Sequence, residues 1–289
     1  MELSNVNLNE MVGVSEMSEI GKVWNLGGVS VIGFSHEENG TLCQDAHAFR
    51  VTQNNEVVAA VADGAGSARL SHEGAKAFTT AIVDHLVSFL DGGSVSIHDA
   101  SSIRSEIVAN VNVTKKQLLE THAKSNAAED HGGSLEAFTL RDFHATIIIA
   151  VCGVGGGAFY HVGDGAGAAF LFDDPEGAVV SKPENGEYAN ETYFVTEENW
   201  EEHLRVTPFS DSSDTILLMS DGVSGMAMTK GCEKPAVNFA VPLLKFLKKN
   251  DRETNELAVA NTISKDSVRA ITGDDKTLLW IIRDEADKI

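Results

Sequence analysis

EVVAAVADGAGSARLSHEGAKAFTTAIVDHLVSFLDGG, residues 56–93, holds two periodicities with a sharp break between them. Glu56 to Ala62 is a short apolar run of the kind found in a buried strand. Ala75, Phe78, Ile82, Leu86 and Phe89 then recur every three or four residues, the spacing of a helix with one buried face. Asp91-Gly92-Gly93 should end that helix. Between strand and helix stands Asp63-Gly64. An aspartate there is held on a rigid element, and glycine lets the chain turn and its carbonyl oxygen approach a ligand.

Working outward, β-like runs at Val29 to His36 and Ala46 to Val51 precede this stretch, separated by turn-forming residues. A second helix is expected through Ile103, Ile107, Val111, Leu118 and Leu119. Strands follow at Ala145 to Cys152, Ala158 to Val162, Ala168 to Phe172 and Thr215 to Met219. Helical patterns occupy about 235–249, where Pro242 should kink or split the helix, and 254–270. Leu278 to Ile282 closes the chain as a strand. Strands in blocks and helices in pairs predict α+β architecture with antiparallel sheets. Residues 1–22 read as a mobile arm, 23–289 as one domain, and the acidic stretch 173–203 as an inserted loop or flap.

Composition narrows the function. Of 289 residues, 43 are Asp or Glu and 22 Lys or Arg, a formal net charge of −21. Coating nucleic acid or gripping an anionic membrane needs clustered basic residues, so neither partner is expected. Three scattered cysteines and no apolar stretch near the length of a membrane span predict a cytoplasmic protein. Cys43 reads as a packing residue. The glycine run at 153–157 lies between two strands, so it reads as a hairpin turn and not a dinucleotide loop.

The strand-to-aspartate design of Asp63-Gly64 recurs at Asp164-Gly165, Asp221-Gly222 and Gly273-Asp274-Asp275, and Asp45 stands between the first strands. Carboxylates converging from several strand ends repel one another at neutral pH and call for a hard, oxygen-liking cation such as Mg²⁺ or Mn²⁺. Asp-Gly is also an ordinary turn dipeptide, so the spacing alone does not name a reaction.

The ordered set of motifs does more. Ser35-His36…Gly40-Thr41-Leu42-Cys43-Gln44-Asp45 comes first, then Ala62-Asp63-Gly64-Ala65-Gly66-Ser67 with Ser71 and Gly74-Ala75. Gly163-Asp164-Gly165, the Glu-Tyr-x-Asn-Glu-Thr stretch at 187–192, Ser220-Asp221-Gly222-Val223 and Asp274-Asp275-Lys276-Thr277 follow. This series resembles the metal-dependent PPM/PP2C protein phosphatases, especially their bacterial branch. The resemblance implies a four-layer α-β-β-α sandwich of two antiparallel sheets flanked by helix pairs. It also implies two Mn²⁺ or Mg²⁺ ions at one end, with a third, weaker ion in some members.

Within that pattern Asp63 would bridge both ions, the Gly64 carbonyl would add a ligand, and Asp221 and Asp274 would complete the other ion's carboxylates. Asp45 would orient a metal-bound water, making Asp45, Asp63 and Asp221 the catalytic set. Asp142 is the candidate for the third ion, and Asp164 matches a position taken as structural. The implied reaction is direct attack of metal-activated water on phosphoserine or phosphothreonine in proteins, opposing a cognate kinase in bacterial signalling. Two positions depart from the pattern. Gly40 replaces an arginine that clamps the substrate phosphate, leaving His36 and Arg69 as candidates for that task, and Ala65 replaces a histidine that protonates the leaving group. These departures keep two alternatives in view: a catalytically silent phosphoprotein-binding module, and a hydrolase of small phosphate monoesters.

Overall fold

In the structure, a computed structural model that describes residues 24–93, 95–128, 137–186 and 192–283, the 56–62 run forms β3 (Val57–Ala62), buried along its whole length. Its two faces meet different neighbours. Val58, Ala60 and Ala62 pack against Phe78, Ile82 and Leu86 of α2 (Ser71–Asp91) and Ile103, Ile107 and Val111 of α3 (Ala100–Ala128). Val57, Ala59 and Val61 pack against Leu218, Leu279 and Ile281 of a second sheet. Successive side chains of a strand point to opposite faces, so an unbroken apolar run identifies a strand covered on both sides.

β3 lies in a five-stranded sheet with β2 (Ala46–Val51), β4 (Ile147–Gly153), β5 (Gly156–Val162) and β8 (Arg205–Ser210), in the order β2-β3-β4-β5-β8. The other five-stranded sheet runs β1-β10-β9-β6-β7, from β1 (Trp24–Val31), β10 (Lys276–Arg283), β9 (Thr215–Met219), β6 (Ala166–Leu171) and β7 (Asp174–Ser181). All pairings are antiparallel. The outer face of this second sheet, with Leu278, Trp280 and Ile282, is covered by α4 (Asp221–Ala227), α5 (Val237–Leu247) and α6 (Arg252–Ile263). Helices, sheet, sheet, helices: the expected α-β-β-α sandwich is the observed one.

Three expectations need correction. The run 29–36 is not one strand: β1 stops at Val31 and α1 (Phe34–Asn39) begins beyond Gly33. A side chain at Gly33 would meet the Asp274 backbone at 2.3 Å, and its N–H donates to Asp275 Oδ1 at 2.6 Å, so the chain bends away there. The acidic segment 173–203 opens as β7, an edge strand on β6 whose exposed polar positions hide its alternation. β8, the other unforeseen strand, is also an edge and carries Pro208, which an edge tolerates. The helix expected over 254–270 is α6 followed by a separate turn, α7 (Asp266–Arg269), while α5 runs on through Pro242. The arm at 1–22 and residues 187–191 lie outside the described residues.

The register sets the site. Val31 pairs with Lys276, Ala46 with Ala62, Ile147 with Val162 and Leu278 with Met219. The strand ends next to Asp45, Asp63, Asp164, Asp221 and Asp274 therefore fall at the same end of the sandwich.

Candidate active site

A cavity of about 590 Å³ opens at that end, and Asp63, Gly64, Asp164, Asp221, Asp274 and His36 are among its lining residues. Asp63 follows β3, and its backbone is fixed by Thr146: the Thr146 N–H donates to the Asp63 carbonyl at 2.8 Å, and the Asp63 N–H to Thr146 Oγ1 at 3.1 Å. A Cβ on Gly64 would lie 2.7 Å from the Gln44 carbonyl oxygen and 2.8 Å from Ser71 Cβ, so only glycine lets the chain pass here. Asp221 begins α4, and Asp274 precedes β10 with its Oδ1 accepting from the Asp275 N–H at 2.9 Å.

Asp45 is buried behind these residues and does not line the cavity. Its Oδ2 accepts from Ser220 Oγ at 2.8 Å, and Ser220 Oγ accepts in turn from the Thr277 N–H at 3.0 Å. Asp45 Oδ1 is buried without a hydrogen-bond partner.

The electrostatics follow from the crowding. Burial pushes Asp63 well above the usual carboxylate range, and Asp45, Asp221 and Asp274 push it further. Asp45 is raised first by burial and then by Asp275. Asp274 is raised by burial and by Asp221. Asp164 is pushed up to about 6, again by burial and then by Asp221. Carboxylates buried this close to one another keep protons above their ordinary range. The donor set is all oxygen, carboxylate and carbonyl, which suits a hard divalent cation. Among the described residues no three acidic, histidine or cysteine side chains close into a finished ligand cage.

Of the sequence-derived candidates, then, Asp63, Gly64, Asp221, Asp274 and His36 share the cavity, with Asp45 beneath it. Asp142 and Arg69 are not among its lining residues. They are occupied with each other: Arg69 Nε lies 2.5 Å from Asp142 Oδ1, and that hydrogen bond brings the Asp142 carboxyl down to about 2. Asp142 also caps a 3₁₀ turn, its Oδ2 accepting from the Thr139 N–H at 2.8 Å. Neither residue is placed to act on a group in the cavity.

Two carboxylates have other positions than expected. Asp164, set aside as structural, lines the cavity; the Asp-Gly signal it shares with the other strand ends pointed there. Asp275 is buried and fastens three segments, accepting from the Gly33 N–H at 2.6 Å and the Gln44 N–H at 2.5 Å, with His36 Nδ1 2.9 Å away. Nothing in its sequence context separates that fastening role from the ligand role expected of its neighbour Asp274. Burial and then Asp45 push the Cys43 thiol up, away from the thiolate a nucleophile needs.

Two facing antiparallel sheets, helix pairs outside them and an acidic cleft where both sheets end are the architecture expected from the resemblance to the 2C-type protein phosphatase family. The chain belongs to that family: the Protein phosphatase 2C profile matches residues 32–260. It is 26 % identical over 268 residues to serine/threonine-protein phosphatase 3 of Escherichia coli K12, across 89 % of this chain and 98 % of that one. The serine/threonine phosphatase Stp1 from Staphylococcus aureus superposes with a TM-score of 0.55 at 14 % identity, covering 94 % of this chain and 99 % of that one. A bacterial serine phosphatase superposes with a TM-score of 0.56, also at 14 % identity, over 91 % and 99 %. Both structures share the fold.

Proposed function

We propose that this chain dephosphorylates phosphoserine and phosphothreonine in proteins, using two divalent cations, Mn²⁺ or Mg²⁺, held at the acidic cleft. The observation that supports this most is the meeting of Asp63 and Gly64 from one sheet with Asp221 and Asp274 from the other on a single cavity. Asp63, the Gly64 carbonyl, Asp221 and Asp274 would hold the ions. A third, weaker ion would find Asp164 in the cavity, not Asp142. When bound, such ions lower the pKa of a water and offset the charge of a phosphoryl group.

The chain's own residues supply position and charge. Asp45, held by Ser220, keeps one oxygen free under the cluster and can accept a proton or a water hydrogen there. His36, kept in place beside Asp275, presents an imidazole to the cavity wall where a phosphate oxygen would lie. Gly40 caps α1 in a left-handed conformation, φ 66°, and a Cβ there would meet nothing within 4 Å, so that position gives the phosphate no clamp. Ala65 lines the cavity without a proton to donate. Overall, water gives its oxygen to phosphorus, the ester P–O bond breaks, and the serine or threonine oxygen leaves with a proton.

Hydrolysis of p-nitrophenyl phosphate and a phosphothreonine peptide, in EDTA and with Mg²⁺ or Mn²⁺ added, tests the proposal. Turnover should require the added cation and drop at least a hundredfold in Asp221→Asn. Calorimetric Mn²⁺ binding without turnover of either compound would instead establish the silent binding module that Gly40 and Ala65 allow. Turnover of small esters with none of phosphopeptides would establish the small-molecule hydrolase.

A further inference from the structure

The α1 wall of the cavity continues outward into a second concavity. Phe34 directly precedes Ser35 and His36 of the cavity wall, and Ala270 stands two residues before Thr272 of the same wall. Phe34, Asp266, Arg269 and Ala270 enclose about 310 Å³ between them. The two segments are fastened together: the Ser35 N–H donates to the Gly273 carbonyl at 3.0 Å, and Arg269 Nη1 lies 2.9 Å from Glu37 Oε2. The Arg269 guanidinium also stands 5.7 Å from the Phe34 ring centroid. The concavity is therefore built on a cross-linked frame.

Its apolar surface does not serve the core. No residue of α1 is buried, Phe34 is 40 % exposed and nearby Ile271 is 64 % exposed. Phe34 and Ile271 thus leave apolar surface open to solvent beside the concavity. The volume lies at the lower end of the ~300–1,000 Å³ usual for ligand pockets, room for one side chain. Arg269 is matched to Glu37, which leaves the Phe34 ring and Ala270 as the apolar faces for an incoming group, with the Asp266 carboxylate at the rim.

We propose that this concavity is a specificity subsite that takes one apolar side chain of the phosphoprotein substrate, close in sequence to the phosphorylated residue. The proposal rests on the phosphatase reading above. A polypeptide whose phosphoryl group lies against Asp63, Asp221 and Asp274 must leave the cavity across its rim. On the α1 side that rim adjoins Phe34 and Ala270, next in the chain to Ser35 and close to Thr272 of the cavity wall.

The test uses phosphothreonine peptides on a serine-rich host, with leucine placed in turn at each of about four positions on either side, and p-nitrophenyl phosphate as a substrate too small to reach the subsite. Leucine at one position, or two neighbouring ones on one side, should raise kcat/KM about tenfold over serine, mainly through KM. Phe34→Ser and the pocket-filling Ala270→Phe should each erase that preference and leave p-nitrophenyl phosphate turnover unchanged. A flat profile in the wild type, or a preference that survives both variants, overturns the subsite while the phosphatase stands. No hydrolysis of any compound by the cation-loaded wild type overturns the phosphatase reading, and the subsite with it.

Discussion

Lys276 is the least expected residue near the cleft. It is only 2 % exposed, and lysine is almost never fully buried without a partner. Its Nζ donates to the Asp274 carbonyl at 2.6 Å, and its charge faces Asp274, Asp275 and Asp45. Burial lowers its pKa, and Asp274 and Asp275 work against that by favouring the charged form. Lys276→Met should lower the stability of the protein in EDTA by roughly 3–5 kcal/mol, the scale for stranding a buried charge, and by clearly less in saturating Mn²⁺, where bound ions offset the same carboxylates. Equal losses in both conditions would make Lys276 a packing residue only. The raised carboxyls give a second expectation. A group whose folded pKa lies above its unfolded value stabilises fully below the unfolded value, here 3.8, and loses that contribution as pH rises through the folded value. In EDTA, therefore, Tm should fall as pH climbs from 4 to 8, and Asp63→Asn should flatten the fall. Melting curves that ignore the substitution would show that Asp63 is not part of the repulsion. Asp63, Asp164, Asp221 and Asp274 stood out in the sequence because each adjoins a strand and is followed, or preceded, by glycine. Asp142 and Arg69 misled because a pair that satisfies itself, 73 positions apart, leaves no local trace.

At the scale of elements, α4 shows how closely the site depends on backbone fit. A Cβ on Gly222 would lie 1.9 Å from the Asp275 carbonyl oxygen, so the first turn of α4 rests directly on the strand that follows Asp274. Gly222→Ala has no flexible side chain to push aside. It should destabilise by about 1–3 kcal/mol, the usual range for overpacking, and it should weaken Mn²⁺ binding by shifting Asp221 away from Asp274. Unaltered Mn²⁺ affinity by calorimetry would mean that α4 tolerates the shift without carrying Asp221 along. The central strands β3, β4, β9 and β10 were readable because both faces are buried and every residue is apolar or nearly so. β7 and β8 were not. Each is an edge strand with one side of its ladder free, and Asp174, Glu176 and Pro208 break the pattern that burial would impose. α1 was lost for another reason: six residues with none buried carry no periodicity, and only the Gly33 and Gly40 boundaries mark it.

For the molecule as a whole, the cleft lies where two independently registered sheets end. Asp45, Asp63 and Asp164 follow or precede strands β2, β3 and β5 of one sheet, and Asp221 and Asp274 adjoin β9 and β10 of the other. The sheets otherwise meet through apolar side chains such as Ile148, Phe159, Leu218 and Leu279, which attract without fixing direction. Cations shared between Asp63 and Asp221 would add a directional tie across that interface, and a ligand bound to the native state alone raises global stability by about 2.7 kcal/mol at a hundred times its Kd. The increase should reach both sheets. Amide hydrogen exchange of the wild type in EDTA and in Mn²⁺ should show slower exchange with the cation in β3 and β4 and equally in β9 and β10, with Asp63→Asn abolishing the gain in all four. Protection confined to β9 and β10 would place the ion on Asp221 and Asp274 alone, and Asp63 would then be a neighbour of the centre instead of its bridge.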